Sequence, residues 1–492
     1  MLRSVNVQLT FFLPNSGLIK LWYSDCMTSS SWLHKFGFLI ALLVGAQAHA
    51  VTGDSIYAAS KERLFQIRTL LKTSGNQTSL GSGFAVTADG FVVTNYHVVS
   101  QMALEPNTYR LEYLAPDGTR GVLQLLAIDV VNDLAVVKLE KPTLKFFEFS
   151  PRALLSNNKS RDEKNGLQKG ERVYAMGNPL DLGFTIVEGT YNSLVLKSYG
   201  EHIHFSGALN PGMSGGPAVD VDGKVVGVNV SKRLDGDLIS FLVPARFADA
   251  IVQRARTNQA LNADATREEI NRQLIDYQNR FADDYQKAPT KTNRVGSWEI
   301  TEPAADWITC WANTNAEQIP KPRYVANNNR CSSNSSLFLA GDMSTGRFGY
   351  EHTFYQNEKL QALQFPKLLF SGSRLGGASP KRMTEARCQQ EFLAKDANLV
   401  RVAGYSQRLM ICARTYRDFT ELYDVSAVLV TQNGSIDALV SSLVMRGLQW
   451  DKAMALTRQF VKTVRYVEPA KTTTTIATPA SGPSGASSKA SN

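Results

Sequence analysis

Between Gly81 and Val243 the chain is written in short β-rich runs, among them "GFVVTNYHVV", "LAVVKLE", "ERVYAMG", "GTYNSLVLKS" and "LISFLVP". They recur at intervals of roughly ten to fifteen residues, too close for helical crossovers, so neighbouring strands must pair as hairpins in a sandwich or barrel. Asp89-Gly90, Asp117-Gly118 and Asp222-Gly223 are hairpin turns, because glycine takes the positive φ that tight turns need. A polar stretch, Ser156 to Gly170, divides the strands into two groups of similar size. The economical expectation is an all-β double β-barrel.

At 492 residues the chain suits two or three domains. The β pattern stops near Ala250. The next segment places Ile270, Leu274, Tyr277 and Phe281 on one helical stripe, with Thr266 and Glu269 spaced as a capping box. "KAPTKTN" follows as a linker. Beyond it the signals are mixed. "VSAVLVTQNGSIDALVSSLVM" reads as a hairpin turning at Asn433-Gly434, and "WDKAMALTRQFVKTV" as a helix with Leu456, Phe460 and Val464 inward. This is a separate α+β domain. The closing "AKTTTTIATPASGPSGASSKASN" lacks the apolar content to order itself.

The segment Met27 to Ala50 has Lys35, an apolar core from Phe36 to Gly45, and the A-x-A sequence Ala48-His49-Ala50. A core this short fits a signal peptide and does not span a bilayer of about 30 Å. Export to the periplasm or the extracellular space is expected, with Met27 as the functional start, Val51 as the mature N-terminus and no stable membrane insertion. Cys310, Cys331, Cys388 and Cys412 then remain, an even number in an oxidising compartment. Sequential pairing, Cys310–Cys331 and Cys388–Cys412, closes the shortest loops. A zinc site is the weaker reading, since no C-x-x-C spacing is present. The net charge of +9 is modest and its Lys and Arg are scattered, which argues against a nucleic-acid partner.

Chemistry enters through "GALNPGMSGGPAVD", Gly207 to Asp220, which holds one serine, Ser214. His97 sits at the end of the strand in "GFVVTNYHVVS", and Asp133 stands ahead of the apolar strand in "VNDLAVVKLE". A serine hydroxyl needs a base, the base needs an orienting acid, and the order His, Asp, Ser is one of the three known triad orders. The set resembles the trypsin-like serine proteases, and most closely the bacterial HtrA/Deg type. "GSGF", "TNYHVV", "DLAVVKL", "GNPLDLGFTIVEG", "LNPGMSGGPAV" and "ISFLVPA" each match a family block, in order, over roughly residues 81 to 250.

The resemblance implies a chymotrypsin-like fold and catalysis by His97, Asp133 and Ser214. It implies an oxyanion hole from the backbone N–H groups of Gly212 and Ser214, protein or peptide substrates, and no cofactor or metal. It places Ala208 at the floor of the primary pocket, with Asn229, Val230 and Ser231 on its wall, so cleavage should follow small or medium apolar residues. Two departures stand out. Met213 replaces the usual polar residue before the nucleophile and cannot order the loop by a polar contact. No PDZ domain is recognisable after Ala250. The domain division is 1–50 signal peptide, 51–255 protease domain, 256–297 connector, 298–468 α+β domain and 469–492 tail. The rival reading is a non-catalytic binding protein on a protease-like scaffold. His202 and His204 could form half a metal site, but structural use is the better reading. Neither oligomeric state nor physiological substrate is legible.

Overall fold

The computed structural model describes residues 9–13, 16–21, 52–143, 145–154, 166–232, 239–257, 260–296, 298–334, 336–341, 343–370, 381–393 and 405–466. The expected signal peptide at 27–50, most of the polar divider after Ser156, and the expected tail lie outside them. Leu9–Leu13 (β1) and Ser16–Leu21 (β2) pair as an antiparallel hairpin within the unit Met1–Thr52. The other elements belong to a second unit, Gly53–Asn492. None of the described helices is long and apolar enough to cross a membrane.

In the second unit the short strands close into two barrels. The first contains Leu64–Leu71 (β3), Gln77–Ala85 (β4), Phe91–Thr94 (β5), Tyr109–Leu114 (β6), Arg120–Asp129 (β7) and Leu134–Leu139 (β8), in the order β3-β4-β5-β8-β7-β6. The second contains Arg172–Gly177 (β9), Thr185–Leu194 (β10), Ile203–Phe205 (β11), Pro217–Val219 (β12), Val225–Lys232 (β13) and Ser240–Pro244 (β14), in the order β10-β11-β14-β13-β12-β9. The chain is thus a chymotrypsin-like double barrel with a further strand-rich domain after it. All three Asp-Gly pairs sit between consecutive strands, with glycine φ of +89°, +88° and +73°. Closure leaves no free edge in either barrel.

The four longest described helices are Tyr96–Leu104 (α1), Ala245–Thr257 (α2), Ala263–Lys287 (α3) and Trp450–Thr463 (α4). In α3 the stripe Ile270, Leu274, Tyr277 and Phe281 is buried. The capping box read at Thr266 and Glu269 is not formed. The helix begins a turn earlier, where Asn262 Oδ1 accepts from the Ala265 N–H (2.8 Å), and Glu269 pairs with Arg272 instead.

The C-terminal sheet has seven antiparallel strands: Ile308–Thr314 (β17), Tyr324–Ser333 (β18), Phe348–Asn357 (β21), Asp437–Gln449 (β25), Leu422–Asn433 (β24), Tyr405–Thr415 (β23) and Arg387–Phe392 (β22) in spatial order. Thr290–Val295 (β15), Trp298–Pro303 (β16) and Val464–Tyr466 (β26) form a small second sheet, and Leu337–Ala340 (β19) pairs with Met343–Thr345 (β20). The domain does not stand apart from the barrels. Ile270, Leu274, Leu337, Leu339 and Tyr416 share one apolar cluster with Tyr96, Val98 and Leu111 of the first barrel.

Both disulfides follow the sequential pairing, Cys310–Cys331 and Cys388–Cys412. Each joins directly opposed residues and ties an outermost strand to its neighbour, one at each end of the seven-stranded sheet. With sequence separations of 21 and 24 residues, each is expected to contribute about 3 kcal/mol by restricting the unfolded chain. Replacing either pair by serines should lower the denaturation midpoint, and the two losses should add because the sites are remote. An unmoved midpoint after reduction would contradict this.

Candidate active site

His97 and Asp133 meet at the start of α1. Asp133 occupies the turn between β7 and β8 in a left-handed conformation, φ +53°. That turn presents the whole residue to the helix N-terminus. Its carbonyl accepts from the Tyr96 N–H (3.2 Å) and from Asn95 Nδ2 (2.8 Å). Its Oδ1 accepts from the His97 N–H (2.9 Å), and its Oδ2 lies 2.6 Å from His97 Nδ1. A carboxylate at a helix N-terminus is favoured by the unpaired amides and the dipole there. With Nδ1 donating to Asp133, Nε2 carries the lone pair.

Burial alone would depress the imidazole pKa, but the Asp133 charge and hydrogen bond outweigh it, and His97 ends above the ordinary histidine value. Its side chain stays 28 % exposed, so protons and ligands can reach it.

The Asp133 turn is braced from two sides. Asp129 accepts from the Asn132 N–H and from Asn132 Nδ2, both at 3.0 Å. Gln273, buried on α3, accepts from the Val130 N–H and donates to the Ile128 carbonyl, each at 2.8 Å. The connector helix therefore holds the strand end that carries the acid. Periodicity read the apolar stripe of α3 but gave no signal for this glutamine.

Ser214 lies across the seam on the second barrel, and Ser82 of "GSGF" locks the two halves together. The Ser82 N–H donates to the Ser214 carbonyl (2.7 Å), and Ser82 Oγ donates to the Gly212 carbonyl (2.7 Å) while accepting from the Asn178 N–H (2.9 Å). A side chain at Gly215 would stand 2.9 Å from the Asn95 amide nitrogen, so the nucleophile loop abuts the residues leading into His97. Gly212 has φ +95°. The Met213 N–H is tied back to the Asn210 carbonyl (3.0 Å), whereas the Gly212 and Ser214 N–H groups donate to no acceptor among the described residues. Alternate free amides of this kind can receive an oxyanion.

Met213 is 1 % exposed and packs in the second barrel's core. Apolar burial, worth about 1.5 to 3 kcal/mol for such a side chain, replaces the polar contact that was expected to be missing. The loop is also held by Asn229, whose Nδ2 donates to the carbonyls of Met176 (2.9 Å) and Met213 (3.3 Å). The Asn229 side chain is buried and turned inward to the loop. Ala208 is exposed and Val230 half-buried. The register shift between Asn229 and Ser231 frees the Val230 carbonyl, which accepts from Ser214 Oγ at 3.2 Å. Ser231 pairs through its backbone with Phe241. No hydrogen bond joins Ser214 Oγ to His97 among the described residues.

His202 lies just before β11, its ring 6.3 Å from that of Phe241, and burial lowers its pKa more than the nearby Asp133 charge raises it. His352, for which the sequence offered no partner, has Nδ1 2.8 Å from Ser441 Oγ and Nε2 3.8 Å from Glu302 Oε1. Superficially this is another Ser–His–carboxylate group. Ser441 is fully buried, however, and burial pushes the His352 imidazole down to about 3. A neutral, sealed histidine of this kind holds a core together and reaches no substrate.

Two six-stranded barrels with histidine and aspartate on one, and a serine on a glycine-bent loop of the other, define the chymotrypsin-like class. Residues 81–228 match the trypsin-like peptidase domain. Two curated relatives are probable periplasmic serine endoproteases described as DegP-like. That of Chlamydia muridarum is 31% identical over 182 residues, covering 35% of this chain and 33% of its own. That of Bartonella henselae is 34% identical over 184 residues, covering 36% and 33%. A solved serine endoprotease from Yersinia pestis aligns with a TM-score of 0.34 and 20% identity, covering 42% of this chain and 66% of that one. The chain spans about a third of the length of the curated relatives it matches.

Proposed function

We propose that this protein is a serine endopeptidase of the DegP/HtrA type, exported from a bacterial cell, that hydrolyses protein or peptide substrates. The observation that carries the reading is the Asp133–His97 pair, 2.6 Å apart, set against a serine loop whose two flanking amides are free. In the proposed reaction Ser214 leaves the Val230 carbonyl, and its Oγ attacks the substrate carbonyl carbon as its proton passes to His97 Nε2. The oxyanion is received by the Gly212 and Ser214 N–H groups. Collapse expels the amine, which takes the proton from Nε2 and leaves an acyl ester on Ser214. Water repeats the sequence and releases the acid. The resting Ser214–Val230 contact makes the free enzyme a state that substrate must rearrange. Cleavage after small or medium apolar residues remains the proposed specificity.

The test is covalent labelling by a fluorophosphonate. The native protein should label and Ser214→Ala should not. Absence of labelling in the native protein, with and without an unfolded substrate, would favour the non-catalytic scaffold.

A pH profile adds a signed expectation. The base form of His97 is required, so kcat/KM should fall as pH drops through a midpoint above the ordinary value of about 6.5. Stability runs the other way. Because the folded pKa is raised, the His97–Asp133 pair stabilises the fold fully below the unfolded pKa. That contribution is lost as pH rises through the folded value. A kinetic midpoint below 6.5 would contradict the assignment of His97.

A further inference from the structure

The β19–β20 hairpin of the C-terminal domain lies directly on α1. Alternation along β19 sorts its residues: Leu337 and Leu339 are buried in the cluster shared with the first barrel, while Phe338 between them is half-buried. The rings of Phe338 and His97 lie in a T-shaped arrangement, centroids 5.9 Å apart at 69°, and the Phe338 ring is 6.4 Å from that of Tyr96. Phe338 packs against that cluster yet stays partly open beside an imidazole that is itself partly open.

The hairpin is bonded to the first barrel and to the seven-stranded sheet, and segments around it contact the second barrel. On the first, Tyr96 Oη donates to the Leu339 carbonyl (3.1 Å). From beneath, the Tyr416 hydroxyl joins Thr345 Oγ1 (3.0 Å) to the Asp424 carboxylate (2.7 Å). On the second barrel, Asn334 Nδ2 donates to the Lys197 carbonyl (2.8 Å). Tyr199 inserts among Tyr277, Phe281 and Trp307, with ring centroids 5.4, 4.8 and 5.2 Å away. The strand that carries Phe338 is thus tied to α1 through the Leu339 carbonyl, while neighbouring parts of the same domain and the connector helix contact the second barrel.

We infer that Phe338 is a wall of the substrate cleft, so that the C-terminal domain completes the active site and helps to set specificity. The inference rests on the reading of His97 as the catalytic base. His97 Nε2 must reach both the attacking hydroxyl and the leaving amine, so a residue flanking the scissile one passes the imidazole. There it meets the Phe338 ring. An apolar side chain at that substrate position gains contact area with Phe338, and a carboxylate is left desolvated beside it.

The experiment uses the full chain and quenched peptides that carry Ala, Leu, Phe or Asp at each of the two positions flanking the cleaved residue. At one of these the native enzyme should favour Leu and Phe over Ala and Asp by about tenfold in kcat/KM. Phe338→Ala should reduce that preference to within about twofold. Phe338→Trp should keep the preference for Leu over Asp but turn against Phe, because the larger ring fills the space. Fluorophosphonate labelling of Ser214 in each variant shows that the fold and nucleophile persist. Should Phe338→Ala fail to fold, Phe338→Trp decides. A labelled variant with a native profile at both positions overturns the inference alone. Failure of the native protein to label overturns the peptidase reading and this subsite with it.

Discussion

Replacing Asp133 by Asn should lower kcat by about 10⁴ while leaving the fold in place. Asp133 accepts two hydrogen bonds from a single residue, the His97 N–H at Oδ1 and Nδ1 at Oδ2. An amide is nearly isosteric and can keep one acceptor, but whichever way it points it must present its NH₂ group to one of those two atoms. The orientation that preserves the bond to the helix amide puts the donor against Nδ1. The imidazole then accepts there and carries its proton on Nε2, the atom that must receive the proton from Ser214. The variant also loses the charge that raises the imidazole pKa, so its residual activity should show the acid limb displaced to lower pH. The check is a steady-state pH profile beside a thermal unfolding curve. A kcat within tenfold of native, with the fold intact, would remove Asp133 from the proposed mechanism.

Gly212→Ala should lower kcat by about 10² to 10³, with a smaller change in KM. The residue has φ +95°, and an added Cβ would stand 2.4 Å from the Asn178 carbonyl oxygen and 3.1 Å from the Leu180 nitrogen. Both are backbone atoms and cannot swing aside as a flexible side chain would. The peptide must rotate, which turns its N–H away and strains the Ser82–Gly212 bond that fastens the loop to the first barrel. One oxyanion donor is lost along with part of the clamp. Gly223→Ala separates this from backbone strain alone. That glycine has φ +73° but nothing within 4 Å of the added atom, in a turn between β12 and β13. It should cost about 1 kcal/mol of stability and leave kcat unchanged. Equal kinetic losses in the two variants would argue that Gly212 contributes only conformational freedom.

The barrels were legible because each signal is local. Turn glycines sit where the chain must reverse, and strand alternation reports which face is covered. The stripe Ile270, Leu274, Tyr277 and Phe281 reads correctly for the same reason. The disulfides were legible because strands adjacent in sequence became adjacent in the sheet, so the shortest loops were the real ones. Local reading failed at the Thr266 box, where Asn262 supplied an equally good cap one turn earlier. It gave no signal that the Asn229 side chain would be needed by the carbonyls of Met176 on β9 and Met213 on the serine loop.

From its residues alone, the chain showed two groups of short strands, the turns at its Asp-Gly pairs, and His97, Asp133 and Ser214 as candidates for joint chemistry, but not the first barrel's opening strand, Leu64–Leu71, which precedes the β-rich runs. Only the tertiary structure decided what surrounds them. Ser82 reaches Gly212 across 130 residues, Gln273 reaches Val130 across 143, and Phe338 comes from another domain to stand against His97. Such contacts leave no periodicity in the sequence. They depend on which covered faces meet when separately folded layers bury their apolar surface against each other, and that choice is made by the packing of the whole.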